Sequence, residues 1–224
     1  MLKKISIYLR NSLFSKIIYF LLYKFKSFES SSSYWENRYQ RNGNSGSGSY
    51  NESANFKAKV INDFIKNYNI EYVEEFGCGD GNQLTHAMYP NYIGYDVSDN
   101  ILNKTKSKFQ NDTTKQFFNL KEYSKLNSNF ELALSLDVIY HLVEDYVFES
   151  HMKLLFSGFK YVVIFSTNYD DKFYIGGHVK NRKFTNWIDS NINNYELIKK
   201  VKNKDNLSKA HFFIYRKILQ VEIY

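Results

Sequence analysis

The sequence predicts an α/β fold with a mostly parallel sheet of seven strands and helices on both of its faces. Apolar runs of strand length alternate with helical or loop stretches from residue 71 onward, which is the pattern of successive strand–helix–strand units. A glycine-rich turn follows the first of these runs, and an acidic residue closes the second. Hydrophobic residues make up 43% of the 224 residues and charged residues 24%, so the chain can bury a large core.

The first segment is a basic amphipathic extension, which we assign to residues 1–33 and expect to be helical. Between residues 1 and 28, six Lys and Arg residues are mixed with Leu, Ile, Tyr and Phe. On a helix the apolar residues fall near one face, so the segment can contact a membrane surface peripherally, or pack on the protein or on a second subunit. A signal peptide is disfavoured because no small-residue cleavage site follows the apolar run.

Residues 34–224 form the predicted main domain. It opens on the aromatic stretch that contains Trp35, Arg38 and Tyr39, followed by a Gly/Ser/Asn loop over residues 43–49, which is too rich in Gly and Ser to be helix or strand. A helix is predicted over Asn51–Tyr68, with Phe56, Val60, Phe64 and Ile65 on one face.

Seven strands are predicted after this helix, and a short helical stretch, Gln83–Tyr89, follows the first of them. The last two strands are too close in sequence for a helix between them, so we expect an antiparallel pair at one edge of the sheet. The strands are Tyr72–Phe76, Tyr92–Val97, Gln116–Leu120, Phe130–Leu136, Tyr161–Ser166, Tyr195–Val201 and Phe212–Leu219.

The strongest motif is the turn after the first strand, where the sequence Glu75-Phe-Gly-Cys-Gly-Asp-Gly-Asn82 leads into the helical stretch. Glycines between a strand and a helix let a ligand approach the backbone closely, and the free N–H groups of the next segment attract anionic or polar ligands. The third glycine comes one residue earlier than in the dinucleotide fingerprint G-x-G-x-x-G, which weakens an NAD interpretation. The motif therefore predicts a nucleotide-type site.

Asp96 closes the second strand, 17 residues after Gly79, near the spacing of about 20 at which an acidic residue accepts both hydroxyl groups of a ribose. The pattern E-x-G-x-G-x-G followed by this Asp resembles class I S-adenosylmethionine (SAM) dependent methyltransferases over residues 34–219. The resemblance implies a Rossmann-like fold and SAM as the cofactor, with the glycine turn against its methionine part, Asp96 on its ribose, and the adenine near Asn119 and Leu120.

The same resemblance extends to the aromatic stretch and the loop through Ser49, which it implies to close over the cofactor carboxylate as a lid. The cofactor-binding residues that we expect are Trp35, Arg38, Tyr39, Ser49, Glu75, Gly77, Cys78, Gly79, Gly81, Asn82, Asp96, Val97, Asn119, Leu120 and Leu136.

Asp137 directly follows the fourth strand, and Tyr140 and His141 come three and four residues later. Ligands bind beyond the carboxyl ends of strands in such sheets, so these three residues are expected to face the transferred methyl group as catalytic candidates. A histidine that titrates near neutrality suits a general base, and His141 is the first candidate; a structural role in the turn is the alternative. The Asn-Pro-Pro-Tyr tetrapeptide of enzymes that methylate nucleic-acid amino groups is absent here, and no metal ion is predicted.

A basic loop after the fifth strand contains His178, Lys180 and Arg182. Arg182 and Lys180 can bind an anionic acceptor, and His178 is a second candidate base; a solvated basic loop is the alternative. The run H-V-x-x-R-x-F-T-x-W resembles a subgroup encoded with polysaccharide biosynthesis genes, which implies a sugar, nucleotide-sugar or glycan acceptor, methylated most simply at oxygen. A phosphate or phosphoramidate-type group is a further candidate acceptor, and because its oxygen already carries negative charge it needs no base.

Thirty Lys and Arg residues against 23 Asp and Glu give a net charge of +7, which permits an acidic partner. A single Cys excludes an internal disulfide and fits a cytoplasmic protein, and no Walker, zinc-protease or serine-hydrolase motif is present. Two alternatives stay open: an RNA or protein methyltransferase, although the absent tetrapeptide makes a nucleic-acid partner the weaker choice, and a non-catalytic SAM-binding subunit at the membrane. The sequence does not reveal the oligomeric state.

Overall fold

The computed structural model describes residues 28–125, 129, 131–172, 174, 177–203 and 208–218. Within these residues seven strands form one sheet, which confirms the predicted architecture. The strands are β1 (Tyr72–Phe76), β2 (Asn91–Asp96), β3 (Lys115–Asn119), β4 (Leu132–Leu136), β5 (Tyr161–Ser166), β6 (Tyr195–Val201) and β7 (His211–Lys217).

The order of the strands across the sheet is β3-β2-β1-β4-β5-β7-β6. The five strands from β3 to β5 are mutually parallel, whereas β7 is antiparallel to both of its neighbours, β5 and β6. The chain winds outward from β1 on one side and from β4 on the other, so the strand order reverses between these two strands. Such a reversal opens a crevice at the carboxyl ends of the strands, where ligands bind in open parallel sheets.

Five α-helices accompany the sheet in the part of the chain that the structure describes. They are α1 (Ser31–Gln40), α2 (Asn51–Tyr68), α3 (Asp99–Lys108), α4 (Asp145–Leu155) and α5 (Phe184–Asn191). Serine side chains cap two of them, because Ser30 Oγ accepts from Ser33 N and Ser98 Oγ from Ile101 N. At its carboxyl end α2 stops at Asn69, whose φ of 51° lies in the left-handed region typical of a helix terminus.

The core consists of two apolar layers, one on each face of the sheet. Every residue of the central strand β5 is at most 5% exposed, because Val163 and Phe165 pack toward α2 while Val162 and Ile164 pack toward α4 and α5. A strand buried on both faces reads as a continuous apolar run, which is why its position is clear in the sequence.

Three local predictions differ from the structure. The helical stretch predicted over Gln83–Tyr89 is only a 3₁₀ turn, Gln83–His86. The stretch around Trp35, treated above as a segment without assigned structure, is the helix α1, and the Gly/Ser/Asn loop contains a 3₁₀ turn at Ser47–Ser49. A 3₁₀ turn of three or four residues is too short to produce an apolar periodicity in the sequence.

The membrane-contact prediction for residues 1–28 lies almost wholly outside the described residues and stays a prediction. The predicted strand start Phe130 and the predicted strand end Leu219 also lie outside them. Of the described helices, none combines the length and the apolar character needed to cross a bilayer.

Candidate functional site

A cavity of about 1020 Å³, part of it open to solvent, lies at the carboxyl ends of β1, β2 and β4. Helix α1 and the loop over residues 43–49 form its roof. The glycine turn, Asp96, Asp137 and His141 all border this single space, so the structure brings together motifs that are more than 60 residues apart in sequence.

The glycine turn contributes bare backbone to the cavity. The N–H groups of Gly77 and Cys78 both donate to the carbonyl of Tyr95, at 2.7 and 3.0 Å, which fixes the turn against β2. Gly77 and Gly79 have φ values of 98° and 55°, and a Cβ on either would overlap a neighbouring side chain. Glycine is therefore required at both positions.

Other residues of the motif have different environments. Glu75 and Cys78 also line the cavity, whereas Gly81 packs under Phe109 and Asn82 donates from Nδ2 to the Ser49 carbonyl. These bonds hold the roof loop on the turn, so Gly81 and Asn82 support the site from behind.

Two buried acids lie beside the turn. Each oxygen of the Asp96 carboxylate accepts one backbone N–H, from Gly79 and from Ser98, at 3.0 Å. Burial raises the pKa of Asp96 to about 6 although these bonds lower it, and burial likewise raises the pKa of Glu75 to about 7. A carboxylate has about four lone-pair directions, so Asp96 can accept two further hydrogen bonds, the number that a ribose diol supplies.

The end of β3 borders the cavity next to Asp96. Val97 and Leu120 line the space, and Leu136 does so from β4. Asn119 does not line it: its amide donates to Asp99 at 2.7 Å and its carbonyl oxygen caps the turn after β3. The predicted role of Asn119 beside an adenine stays a prediction, since its side chain is committed to these bonds.

Helix α1 is fastened over the cavity at both ends. At its start, Ser31 donates from its N–H and its hydroxyl to the two oxygens of Glu144, and accepts from Val143 N at 3.0 Å. At its end, Lys104 Nζ donates to the Tyr39 carbonyl at 3.3 Å. Because of this placement Trp35 and Tyr39 line the cavity.

Arg38, by contrast, points to the roof loop. Its Nε donates to the Asn44 carbonyl at 2.7 Å, and its guanidinium lies 5.4 Å from the Trp35 ring centre. The loop is also tied to the glycine turn, because Ser45 N donates to Asp80 Oδ2 and Asp80 N donates to Ser45 Oγ, both at 2.9 Å. Ser49 lines the cavity, as expected. The loop is thus an ordered part of the site.

Asp137 carries the second acidic cluster of the cavity. Its φ of 60° is left-handed, and its N–H donates to the Phe165 carbonyl at 2.9 Å, which turns the side chain off the end of β4. Lys57 Nζ donates to Asp137 Oδ2 at 2.7 Å, and the Tyr140 hydroxyl donates to Oδ1 at 2.8 Å. Tyr140 does not border the cavity itself, and its hydroxyl supports the site through this carboxylate.

Lys57 was not predicted from the sequence as a residue of the site. A lysine in a helix is usually solvated, yet the Lys57 side chain is 1% exposed and borders the cavity. The buried positions of α2 are Ala54, Lys57, Ala58, Ile61, Phe64 and Ile65. Lys57 lies within this i, i+3, i+4 stripe, which was the available signal; the predicted face included Phe56 and Val60, which are only partly buried.

His141 borders the cavity and has a defined tautomer. Its Nδ1 lies 2.9 Å from the carbonyl oxygen of His178, which only accepts, so Nδ1 carries the hydrogen and Nε2 is left with a free lone pair. Burial lowers the pKa of His141 to about 4, so the ring is neutral near pH 7. His178 does not border the cavity: its ring stacks on Tyr34 with centroids 4.1 Å apart.

The basic loop does not supply the cavity with free cations. Lys180 Nζ and Arg182 Nη2 both donate to Asp145 Oδ1, at 2.7 and 2.6 Å, and Arg182 also donates to the carbonyls of Leu142 and Val143. Neither residue borders the cavity. An anion would have to displace Asp145 to reach them, so the acceptor-binding role assigned to both stays a prediction without geometric support.

Comparison with known proteins gives structural likeness only. The sequence matches no family model and none of the curated proteins compared with it. The N-methyltransferase NodS from Bradyrhizobium japonicum WM9, solved with S-adenosyl-L-homocysteine (SAH), is 9% identical, with a TM-score of 0.62 over 84% of this chain and 99% of that one.

Two further solved structures are similar. The methyltransferase domain of bacterial CtHen1 is 18% identical, with a TM-score of 0.58 over 74% of this chain and 98% of that one. Magnesium protoporphyrin IX methyltransferase from Synechocystis PCC 6803 with bound SAM is 12% identical, with a TM-score of 0.59 over 84% of this chain and 97% of that one. The chain therefore has the Rossmann-like fold of SAM-dependent methyltransferases.

Proposed function

We propose that this protein is a SAM-dependent methyltransferase that acts on a small acceptor, a sugar, a nucleotide-sugar or a glycan end, most simply at oxygen. The observation that carries the proposal is the meeting of the glycine turn and the Asp96 carboxylate in one roofed cavity at the strand reversal. The sugar class is supported by the resemblance of the loop around Arg182 to a polysaccharide-linked subgroup.

The residues present fit this cofactor. The bare backbone at Gly77 and Gly79 leaves no Cβ between the turn and a bound molecule, and Asp96 keeps two hydrogen-bond directions for a ribose. Val97 and Leu120 give the adjacent wall the apolar character that suits an adenine. When bound, SAM supplies an electrophilic methyl group on a sulfonium.

The chain's own residues have three tasks in this proposal. Trp35 and Tyr39 cover the site and exclude water. The hydrogen bonds that fix α1 and the roof loop hold the cofactor and the acceptor in line. This alignment is the largest contribution that the protein makes to a displacement of this kind. The free Nε2 of neutral His141 accepts the proton of an acceptor hydroxyl.

The proposal is tested by ligand-induced thermal stabilisation with SAM, SAH and NADH. A ligand at 100 times its Kd adds about 2.7 kcal/mol, or roughly 5–10 °C at this size. We expect both sulfur ligands, and not NADH, to raise the Tm. Asp96→Asn should lose most of the shift, whereas Asp63→Asn, on the exposed side of α2, should keep it.

Two results would contradict the proposal. If neither sulfur ligand stabilises the wild-type protein, the glycine turn does not bind SAM. If NADH alone stabilises it, the cavity is a dinucleotide site. Once SAM binding is established, release of SAH in the presence of mixed sugars and nucleotide-sugars identifies the acceptor.

A further inference from the structure

Charged side chains around the cavity are mostly acidic, which bears on what can bind beside the cofactor. Among the described residues, four acids border the cavity, and Lys57 is the one Lys or Arg that does so. The acids are Glu75, Asp96, Asp137 and Glu144. The nearby cations of the basic loop are bound to Asp145, so they do not offset this charge.

Lys57 and Asp137 form a buried ion pair whose carboxylate is still open to the cavity. The side chains are 1% and 13% exposed, and the two oxygens of Asp137 each accept one bond, from Lys57 and Tyr140. A carboxylate can accept about two more. Gly48 lies directly over this group, since a Cβ there would be 2.8 Å from Asp137 Oδ2. The roof loop therefore packs closely on this carboxylate, and a side chain larger than that of glycine would clash with it.

A second acceptor of hydrogen bonds lies close by. Gln83 is 5% exposed and borders the cavity; its Nε2 donates to the Ala54 carbonyl at 3.0 Å, while its buried Oε1 accepts no hydrogen bond from the described residues. Ala54 and Lys57 are one turn apart on α2, so Gln83 and Asp137 contact the same stretch of that helix. A buried, unpaired amide oxygen is costly unless a ligand supplies a donor.

We propose that Asp137 faces the position of methyl transfer and accepts a hydrogen bond from the methyl acceptor, with Lys57 as the positioning residue that balances its charge. The acceptor then presents a second N–H or O–H donor beside the reacting hydroxyl, whose own proton goes to His141, in place of the anionic oxygen that Lys180 and Arg182 suggested. This inference rests on the proposed function, because it assumes that the cofactor occupies the cavity.

The test uses sinefungin, a SAM analogue in which an amine-bearing carbon replaces the sulfur and its methyl group. Its nitrogen therefore stands where the methyl group and the acceptor meet. The measured quantity is the ratio of the Kd of SAH to the Kd of sinefungin, obtained by isothermal titration calorimetry. A general loss of stability affects both ligands alike and leaves this ratio unchanged.

We expect Asp137→Asn to lower the ratio about 10-fold or more, since a hydrogen bond to a charged group is lost. Lys57→Met should raise it several-fold, because Tyr140 still holds the carboxylate while its neutralising ammonium is gone. Lys59→Met and Asp63→Asn remove the two halves of an exposed ion pair on the same helix and should leave the ratio within about 2-fold.

A purely structural ion pair would leave the ratio unchanged in Asp137→Asn and Lys57→Met, and that result overturns the inference. A shift of the ratio in the same direction in both variants also overturns it.

If a single variant does not fold, the double variant Lys57→Met/Asp137→Asn removes both charges and should give the low ratio of Asp137→Asn. A wild-type ratio in the double variant would overturn the inference. Failure of the wild-type protein to bind SAH contradicts the proposed function itself, and is thereby distinguished from failure of this inference.

Discussion

The orientation of one imidazole determines what His141 can do. Its Nδ1 hydrogen is committed to the His178 carbonyl, and Trp35 packs edge-on against the ring, with centroids 4.9 Å apart. Because burial lowers its pKa to about 4, the ring stays neutral across the physiological pH range. A neutral ring with a free Nε2 can accept a proton, but a pKa near 4 makes it a weaker base than the near-neutral histidine expected from the sequence.

We expect His141→Ala to reduce turnover at least about 100-fold, the contribution of one general base, with SAH affinity unchanged within about 2-fold. The measurement is SAH release with the acceptor found in the sugar panel. His86→Ala, on the exposed turn after β1, is the matched control and should keep wild-type turnover. A His141→Ala enzyme near the wild-type rate would show that this histidine only maintains the loop.

Among the elements, α1 depends on a small set of bonds at its first residue. Removing the Ser31 hydroxyl leaves Glu144 Oε2 and Val143 N without their partner, at a cost of about 1–3 kcal/mol. In Ser31→Ala we therefore expect amide exchange over residues 31–40 to be at least about 10-fold faster and SAH to bind several-fold more weakly.

Hydrogen exchange by mass spectrometry and calorimetry measure these two effects. Gln40→Ala changes an exposed residue at the other end of the helix and should alter neither. Unchanged exchange over residues 31–40 in Ser31→Ala would mean that aromatic contacts alone hold the roof, such as the stacking of Tyr34 on His178.

Most of the strands were predictable from the sequence because they are short apolar runs between polar turns, although the edge strand β6 has mixed polarity. Strand β1 has the predicted limits, and β2 starts one residue earlier than predicted. The roof was not predictable in the same way: α1 has mixed polarity, and its position depends on contacts with Glu144 and Lys104, which are distant in sequence. Apolar periodicity carries no information about such pairs.

The same distinction applies to the residues of the candidate site. The glycine turn and Asp96 were recognisable because their chemistry depends on local spacing. Lys57 was not, because its burial depends on Asp137, 80 residues away. For Arg182 the sequence overstated the role: its charge suggested that it binds an anionic acceptor, whereas the fold pairs it with Asp145.

At the scale of the whole molecule, the buried acids make stability depend on pH. The folded state raises the pKa of Glu75 to about 7, so it retains a proton that the unfolded chain releases at lower pH. This group therefore stabilises the fold at low pH, and the contribution is lost as the pH rises toward 7. The buried, neutral His141 and His151 act in the opposite direction, because their pKa values are lowered to about 4.

Comparison with Glu75→Gln isolates the effect of Glu75, since the amide can still accept from the Tyr92 hydroxyl. We expect the free energy of unfolding of Glu75→Gln to gain about 2–3 kcal/mol on the wild type between pH 5 and pH 8. Urea unfolding at the two pH values measures this, with the exposed Glu149→Gln as the control. A constant difference between the proteins would show that Glu75 titrates in the folded state as it does in the unfolded chain.

The position of Cys78 in the glycine turn gives the protein an intrinsic chemical reporter. It is the chain's one cysteine, it borders the cavity, and burial raises the pKa of its thiol well above the usual range. A thiol-selective reagent can therefore react with the intact protein only inside the site, and it reacts slowly because little of the buried thiol is ionised. The rate of labelling records how often that wall becomes accessible, in unaltered protein and without an attached fluorophore.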